Sequence, residues 1–418
     1  MKSRVRKLIG ILAAAAMVIT LFPVQASAAT ATGQITIQGT KLTDLGSAHN
    51  GNGNSGTYAW DPENNTLTLT NFQSDNSLSI QCDQDVTIKY VGDCQINPTA
   101  GNSVTLSGTG KYTFTGSGGT FTFHPSTYSM GISTESDLTF DGGTYSFDTL
   151  HASIYSAGTA NLTVQNGAKI DSLSSYSSIL MTNGDISITG ETTTVSTESQ
   201  YQNLVANNIT INGATVTCVP EAGTSWATAI LQANKSLTIT NATVSACGLD
   251  PNDPSQKAGG IYVGDELIVN SGSNLAASSS DNSIYVKNNA TISDSAIDLN
   301  SSVATAMYSG KDTTFTNVTG SIVSDPVNGG NCLLAKNGNL TIGGDNTNLK
   351  FHSKAPLTAG QVLSITGGKV DVLTEGGVCL YGKQKIDITG GTLTVRQLQN
   401  KQFFILIPET FQSQVMLM

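Results

Sequence analysis

A short motif recurs eleven times between residues 138 and 390, always in the same internal register. With Leu138 as its first position, it returns at Leu162, Ile186, Ile209, Leu237, Leu267, Ala290, Thr313, Leu340, Leu363 and Ile386, at intervals of 23 to 30 residues. Two positions on, every copy has a strand former with an apolar body, from Phe140, Val164 and Ile188 to Ile365 and Ile388. Four positions on, every copy has Gly, Asn, Asp or Ser, from Gly142 and Asn166 to Gly367 and Gly390. An apolar pair two residues apart puts both side chains on one face of a short strand. Gly, Asn and Asp tolerate positive φ, so the chain can bend sharply just after that strand.

Most copies carry a second short strand about five to eight residues earlier, as at Ile132, Ile154, Ile179, Ile261, Ile284, Met307 and Leu380. Strands this short cannot stand alone. They can coil, each turn pairing in parallel with the turns above and below, which is the architecture that repeats of this period adopt. The expected fold is therefore all-β: a single right-handed parallel β-helix with turns of about 24 residues, its hand taken from the usual chirality of parallel crossovers. A β-sandwich array is the runner-up, but sandwiches alternate antiparallel strands and rarely hold so strict a register. Composition agrees. Charged residues are 12% and glycines number 43, poor material for helices and good material for strands and tight turns.

The repeat organises the chain into regions. Residues 1–28 read as a secretory signal peptide: basic Met1–Lys7, apolar Leu8–Phe22, and the small-residue cleavage site Ala26-Ser27-Ala28. The apolar run is too short to anchor in a bilayer, so a secreted or cell-surface protein without a membrane span is expected. Residues 29–56 are rich in Gly, Asn and Ser, and flexibility is expected at His49–Gly56. Residues 57–123 read as shorter, looser turns of the same construction, carrying Leu67-Thr68-Leu69, Val86-Thr87-Ile88, Val104-Thr105-Leu106 and Phe121-Thr122-Phe123. Residues 124–397 form the regular helix, and 398–418 form either a cap over its last turn or a truncated tail. The formal charge is −10; without residues 1–28 it is 16 bases against 30 acids, or −14, and Arg396 is the only arginine. Such a surface repels phosphate backbones and argues against nucleic acid as a partner. Cys82 and Cys94 share strand parity with core positions and read as small core residues, with a bridge between them as one option.

The segment from Tyr58 to Phe72 (Tyr-Ala-Trp-Asp-Pro-Glu-Asn-Asn-Thr-Leu-Thr-Leu-Thr-Asn-Phe) resembles an opening segment common in exported proteins of Gram-positive gut and soil bacteria. Those chains continue as β-helix repeats and carry a carbohydrate-binding-domain label. The Ile-Thr-Gly-Gly copies at Ile365 and Ile388 look like the same family. The resemblance implies a cell-surface, glycan-binding β-helix.

Exported β-helices also carry polysaccharide lyases and hydrolases of the pectin-degrading type. Lyases of this fold usually need a basic residue, commonly Arg, as proton abstractor; only Arg396 is on offer outside residues 1–28, and of the 15 lysines that could substitute none sits in a recognisable acidic motif. Hydrolases need clustered carboxylates, but there is no Asp-Asp pair, and His49, His124, His151 and His352 are scattered. A non-catalytic binding surface is better supported. Tyr262, Tyr285 and Tyr308 each follow an apolar residue in three consecutive turns, so alternation points them outward in a column about 4.8 Å apart. A column of aromatic faces suits the C–H faces of sugars; a self-packed ladder that merely covers the sheet is the competing reading. Tyr128, His151, Tyr176, Tyr201 and Trp226 recur every 23 to 25 residues as a second column, either internal or, if exposed, a longer sugar platform.

The longest periods bracket insertions, and solenoid insertions tend to mark the working side. One insertion holds Asp250, Asn252 and Asp253, whose oxygens offer a calcium site, although a solvated turn explains them as simply. No other cofactor is indicated. The expectation is a monomeric, adhesin-like, carbohydrate-binding protein. A lyase or hydrolase and a purely structural stalk that contacts protein are the alternatives.

Overall fold

A computed structural model describes residues 32–221, 229–248, 259–325, 330–354, 357–375 and 379–397. Residues 1–28, Trp226, Asp250, Asn252, Asp253 and 398–418 lie outside the described residues. Among the described residues every regular element is a strand, and the chain winds as a parallel β-solenoid of about 13 turns with roughly 24-residue spacing. Among the described residues no helix is long and apolar enough to cross a membrane.

Each turn contributes to three sheets, numbered here in the order the chain visits them. One turn supplies Ile132–Thr134 to the first sheet, Leu138–Asp141 to the second and Thr144–Thr149 to the third. The next supplies Ala152–Ser156, Leu162–Gln165 and Lys169–Ser174. All pairing between these turns is parallel and in register: Ile132 meets Ile154, Leu138 meets Leu162, and Tyr145 meets Ile170. The second and third sheets form one hydrogen-bonded network because Thr66–Ser74, Val362–Thr374 and Lys385–Gln397 run through both. Turns 4.8 Å apart make a rod roughly 60 Å long.

The repeat register maps onto the core. The first and third motif positions are buried in every copy except the last, where Ile388 at the final turn is half-buried. The bend residues Gly142, Asn166, Gly190, Gly213, Asn241, Ser271, Asp294, Asn317 and Gly344 all have positive φ, between 45° and 105°. They make the corner from the second sheet to the third. In the last two copies positive φ moves one residue on, to Gly368 and Gly391. There the strand runs through the corner with a shifted register, and the doubled glycine of Ile-Thr-Gly-Gly lets the bend slide.

The corner from the first sheet to the second is held by a column that the apolar pattern does not reveal. Asp137, Asn161, Asp185 and Asn208 stand one residue before the motif in successive turns. Each offers its Oδ1 to the backbone N–H of the next: Asn161 N–H to Asp137 at 2.9 Å, Asp185 N–H to Asn161 at 2.9 Å, and Asn208 N–H to Asp185 at 3.0 Å. Asp312 and Asn339 repeat the device at 2.7 Å. Backbone donors at a bend would otherwise lack partners, so a stacked Asx column satisfies them turn after turn.

The N-terminal region departs from expectation. His49–Gly56, expected to be flexible, is largely strand: His49–Asn52 pairs antiparallel with Ser55–Asp61, which pairs antiparallel with Thr66–Ser74. Gly33–Ile37 lies antiparallel on Leu78–Cys82. These strands close the start of the solenoid over Trp60, whose indole N–H donates to Leu45 O at 3.0 Å. Its Gly and Asn supply tight turns between strands rather than slack. The four apolar runs expected to be successive loose turns sit in different sheets: Leu67–Leu69 and Val86–Ile88 in the second, Val104–Leu106 in the first, Phe121–Phe123 in the third. Alternation has the same appearance on every face of a solenoid, so it cannot by itself say which face a strand occupies. Cys82 and Cys94 are buried thiols that do not bridge each other.

Candidate functional site

The corner from the third sheet to the first gathers most of the unusual features of the surface. It takes the longest connections, from Pro220 to Leu231 and from Cys247 to Ile261. It also carries the aromatic column. Its frame is a row of buried hydroxyls that end the third-sheet strands: Thr149, Ser174 and Ser199 in one run, Ser279, Ser301 and Ser324 in another. These side chains turn inward, and all but Ser279, whose Oγ has no partner, hydrogen-bond at the bend. Ser174 Oγ donates to His151 O at 2.9 Å, Ser301 Oγ to Asp281 O at 2.6 Å, and Ser324 Oγ to Ala304 O at 2.7 Å. At the fourth level Asn203 is wholly buried and completes the frame. Its Nδ2 donates to Thr197 O at 2.7 Å and Val219 O at 2.6 Å, and its Oδ1 accepts from Ser199 Oγ at 2.7 Å.

Two residues beyond each hydroxyl the chain faces outward, and there stand His151, Tyr176 and Tyr201, with Tyr128 one turn before them. The rings form one connected cluster in which Tyr128 folds over His151 to lie edge-on to Tyr176, 6.3 Å away and inclined by 76°. Tyr128 lies 4.6 Å from His151, His151 5.3 Å from Tyr176, and Tyr176 4.4 Å from Tyr201, with planes tilted by 33° to 43°. The row is on the surface: Tyr128 is 63% exposed and Tyr176 36%. His151 and Tyr201 are half-buried, so the surface open to a ligand is mainly that of Tyr128 and Tyr176. His151 also lies 6.4 Å from Tyr155 on the first sheet. Burial between its neighbours pushes the His151 imidazole below its usual value.

Tyr262, Tyr285 and Tyr308 do form a column in register. Their centroids are 5.5 and 4.6 Å apart and both pairs of planes lie within 4° of parallel. Stacked in this way, the central ring has both faces covered, and the column offers edges and hydroxyls outward. A face-on sugar platform does not fit that geometry; the covering ladder does. The same outward row of the first sheet continues through Tyr155, Leu180, Val205 and Gln232 below it and Leu334 above. Tyr155 was not singled out from the sequence, because it stands alone in an aliphatic and polar stretch of the row.

Acidic side chains border the aromatic corner. Asp148, Leu173 and Glu198 share a row on the outer face of the third sheet. His124 Nδ1 lies 3.0 Å from Asp148. The other His–carboxylate pair, His352 with Glu375 at 3.3 Å, is nine turns away along the rod, about 43 Å. Arg396 holds Asp371 through its guanidinium at 3.0 Å. Among the described residues no three His, Cys, Asp or Glu side chains converge on a point where a metal could sit.

The fold and the corner define a parallel β-solenoid with an exposed aromatic edge. No protein-family model matches the chain, and neither a curated protein nor a solved structure is detectably similar to it.

Proposed function

We propose that this is an exported, cell-surface β-solenoid that binds polysaccharide without transforming it, and that the Tyr128–His151–Tyr176–Tyr201 edge is the binding surface. The single observation behind this reading is the cluster of tilted rings, with Tyr128 and Tyr176 exposed, at one corner of the solenoid. Aromatic faces present a flat apolar surface with negative π-density, which suits the C–H faces of pyranose rings. The repeat sets their spacing, so the surface is preorganised and binding orders little of the protein. A long glycan laid along the edge would meet several rings at once, and weak contacts would add along the chain.

The test is affinity electrophoresis of the mature protein through gels containing neutral polysaccharides, compared with Tyr128→Ala/Tyr176→Ala. Losing about 2 kcal/mol of aromatic contact should weaken retention roughly 30-fold. Retention equal to that of the parent protein rejects this surface. The self-covered ladder at Tyr262–Tyr308 favours a second reading, a structural stalk. That reading gains if no glycan retards the parent protein.

A further inference from the structure

Three turns beyond Tyr201, about 14 Å along the rod, the same corner holds a small hollow. It has a volume of about 230 Å³ and is lined by Gly259, Ile261, Tyr262, Asp281, Asn282 and Tyr285. We infer that this hollow is a second carbohydrate site, a pocket for one neutral hexopyranose residue. The inference shares the glycan-binding reading of the protein but not the surface on which that reading rests.

The pocket is built by the repeat. Asp281 follows buried Ser279 by two residues, the offset that separates Thr149 from His151, Ser174 from Tyr176 and Ser199 from Tyr201. At this level the corner thus places a carboxylate where earlier turns place rings, with the Asn282 amide beside it at the position of Ala152, Ser177 and Gln202. The backbone there is fixed from above, because Asp281 O accepts from Ser301 Oγ at 2.6 Å. Gly260 lets the strand pass close to the next turn: a Cβ there would lie 2.4 Å from Ser283 O. Gly259 and Ile261 are buried and give an apolar floor. The wall is the Tyr262–Tyr285 pair, whose rings stand 5.5 Å apart where Tyr285 and Tyr308 stand 4.6 Å apart.

The chemistry matches one sugar ring. Asn282 Nδ2 donates to Asp281 Oδ1 at 3.2 Å, which holds the two planar groups side by side. Beyond that bond the pair still offers carboxylate lone pairs, an amide oxygen and a second amide N–H. Each sugar hydroxyl donates one hydrogen bond and accepts others, so adjacent hydroxyls can satisfy both groups at once. Hydrogen bonds to the carboxylate are charge-assisted and set orientation. The Asp281 carboxylate also repels uronic acids, which restricts the ligand to neutral sugars. Clefts for drug-sized molecules run from about 300 Å³ upward, so a smaller hollow suits a single ring rather than an oligomer.

Saturation-transfer NMR on the mature protein tests the inference, with glucose, galactose, mannose, N-acetylglucosamine and galacturonic acid as separate probes. A pocket of a few hydrogen bonds should hold its sugar with a Kd on the order of 1 mM. At least one neutral probe should give a signal, and Asp281→Ala/Asn282→Ala should weaken its binding at least tenfold. Tyr128→Ala/Tyr176→Ala should leave it unchanged, and Asp281→Asn should admit galacturonic acid, which the parent protein rejects. Both pocket positions are on the surface, and an unchanged far-UV spectrum and melting temperature confirm the fold of each variant. Silence from every neutral probe, or a signal in the Tyr128→Ala/Tyr176→Ala background that survives Asp281→Ala/Asn282→Ala, overturns the inference even if long glycans are still retained through the aromatic corner. Loss of polysaccharide retention in the corner variant alone, with the single-sugar signal intact, separates the two sites.

Discussion

The claim that buried polar side chains hold the aromatic corner is open to a quantitative test at Asn203. Its side chain has no access to solvent and joins three partners: Thr197 O, Val219 O and Ser199 Oγ. Asn203→Leu keeps the approximate volume and removes all three bonds. Each lost bond costs about 1.5 kcal/mol, the buried partner left behind included, while the leucine regains about 1–2 kcal/mol by burying its apolar surface. The balance is a local destabilisation of about 3 kcal/mol. A long repeat array need not unfold in one step, so a single midpoint is a poor readout. Amide exchange is better. Tyr201 N–H is bonded to Tyr176 O at 2.9 Å and Leu204 N–H to Ile230 O at 3.1 Å. Protection of these two amides should fall about 100-fold, since 1.4 kcal/mol is one decade. Amides of distant turns, such as Leu340, should be unaffected. Protection at Tyr201 within threefold of the parent value would refute the idea that the Asn and Ser side chains hold the corner, and the rings would then be placed by the backbone alone.

Other consequences follow from the same geometry. Gly320 has φ +127° and a Cβ there would lie 1.8 Å from Ile297 O, so Gly320→Ala should cost more than about 2 kcal/mol, read as loss of amide protection in the adjacent turns; wild-type protection would contradict it. Burial pushes the Cys218 thiol up to about 12 and the Cys332 thiol up to about 11, so both should resist a thiol reagent at pH 8 until the protein unfolds, and rapid native labelling would show that the core is open. His151 is held below its usual value, so the folded corner binds fewer protons than the unfolded chain. Its stabilising effect is complete above the unfolded value of about 6.5 and declines as pH falls below it. Glycan retention should accordingly weaken toward pH 5, and an imidazole NMR titration of His151 with a midpoint above about 6.5 would reverse the sign.

The solenoid was legible because its core rule is local. An apolar pair followed two residues later by a residue tolerant of positive φ states both a strand and its bend, as at Leu138, Phe140 and Gly142, and repetition removes the ambiguity of any one copy. Parallel stacking and the outward column at Tyr262, Tyr285 and Tyr308 follow from that rule. What the column does was less legible, because sequence gives the spacing of rings but not their tilt. Tilt sets how fully neighbouring rings overlap, 33° between Tyr128 and His151 against 4° between Tyr285 and Tyr308 at the same separation of 4.6 Å. The polar columns were also missed. Asn161 and Ser174 look like ordinary loop residues, and only their recurrence at fixed offsets marks them as the groups that satisfy backbone atoms at the bends. The N-terminal cap was misread because the Gly and Asn of tight antiparallel turns have the composition of slack chain, and its pairing depends on Trp60, Leu67 and other distant residues.

The account depends above all on matching positions of successive copies being neighbours, one turn apart, all along the rod. Thr139, Thr238 and Thr314 occupy the same outward position of the second sheet, four and seven turns along from the first of them. Electron-electron distance measurements between spin labels at residues 139 and 238, and at residues 139 and 314, read that spacing directly. Separations of about 19 and 34 Å, in the ratio of the turn counts, are what stacking at about 4.8 Å per turn requires. Two similar distances, or a shorter one for the pair farther apart in sequence, would mean that the copies lie side by side, and the aromatic edge would no longer exist as a surface.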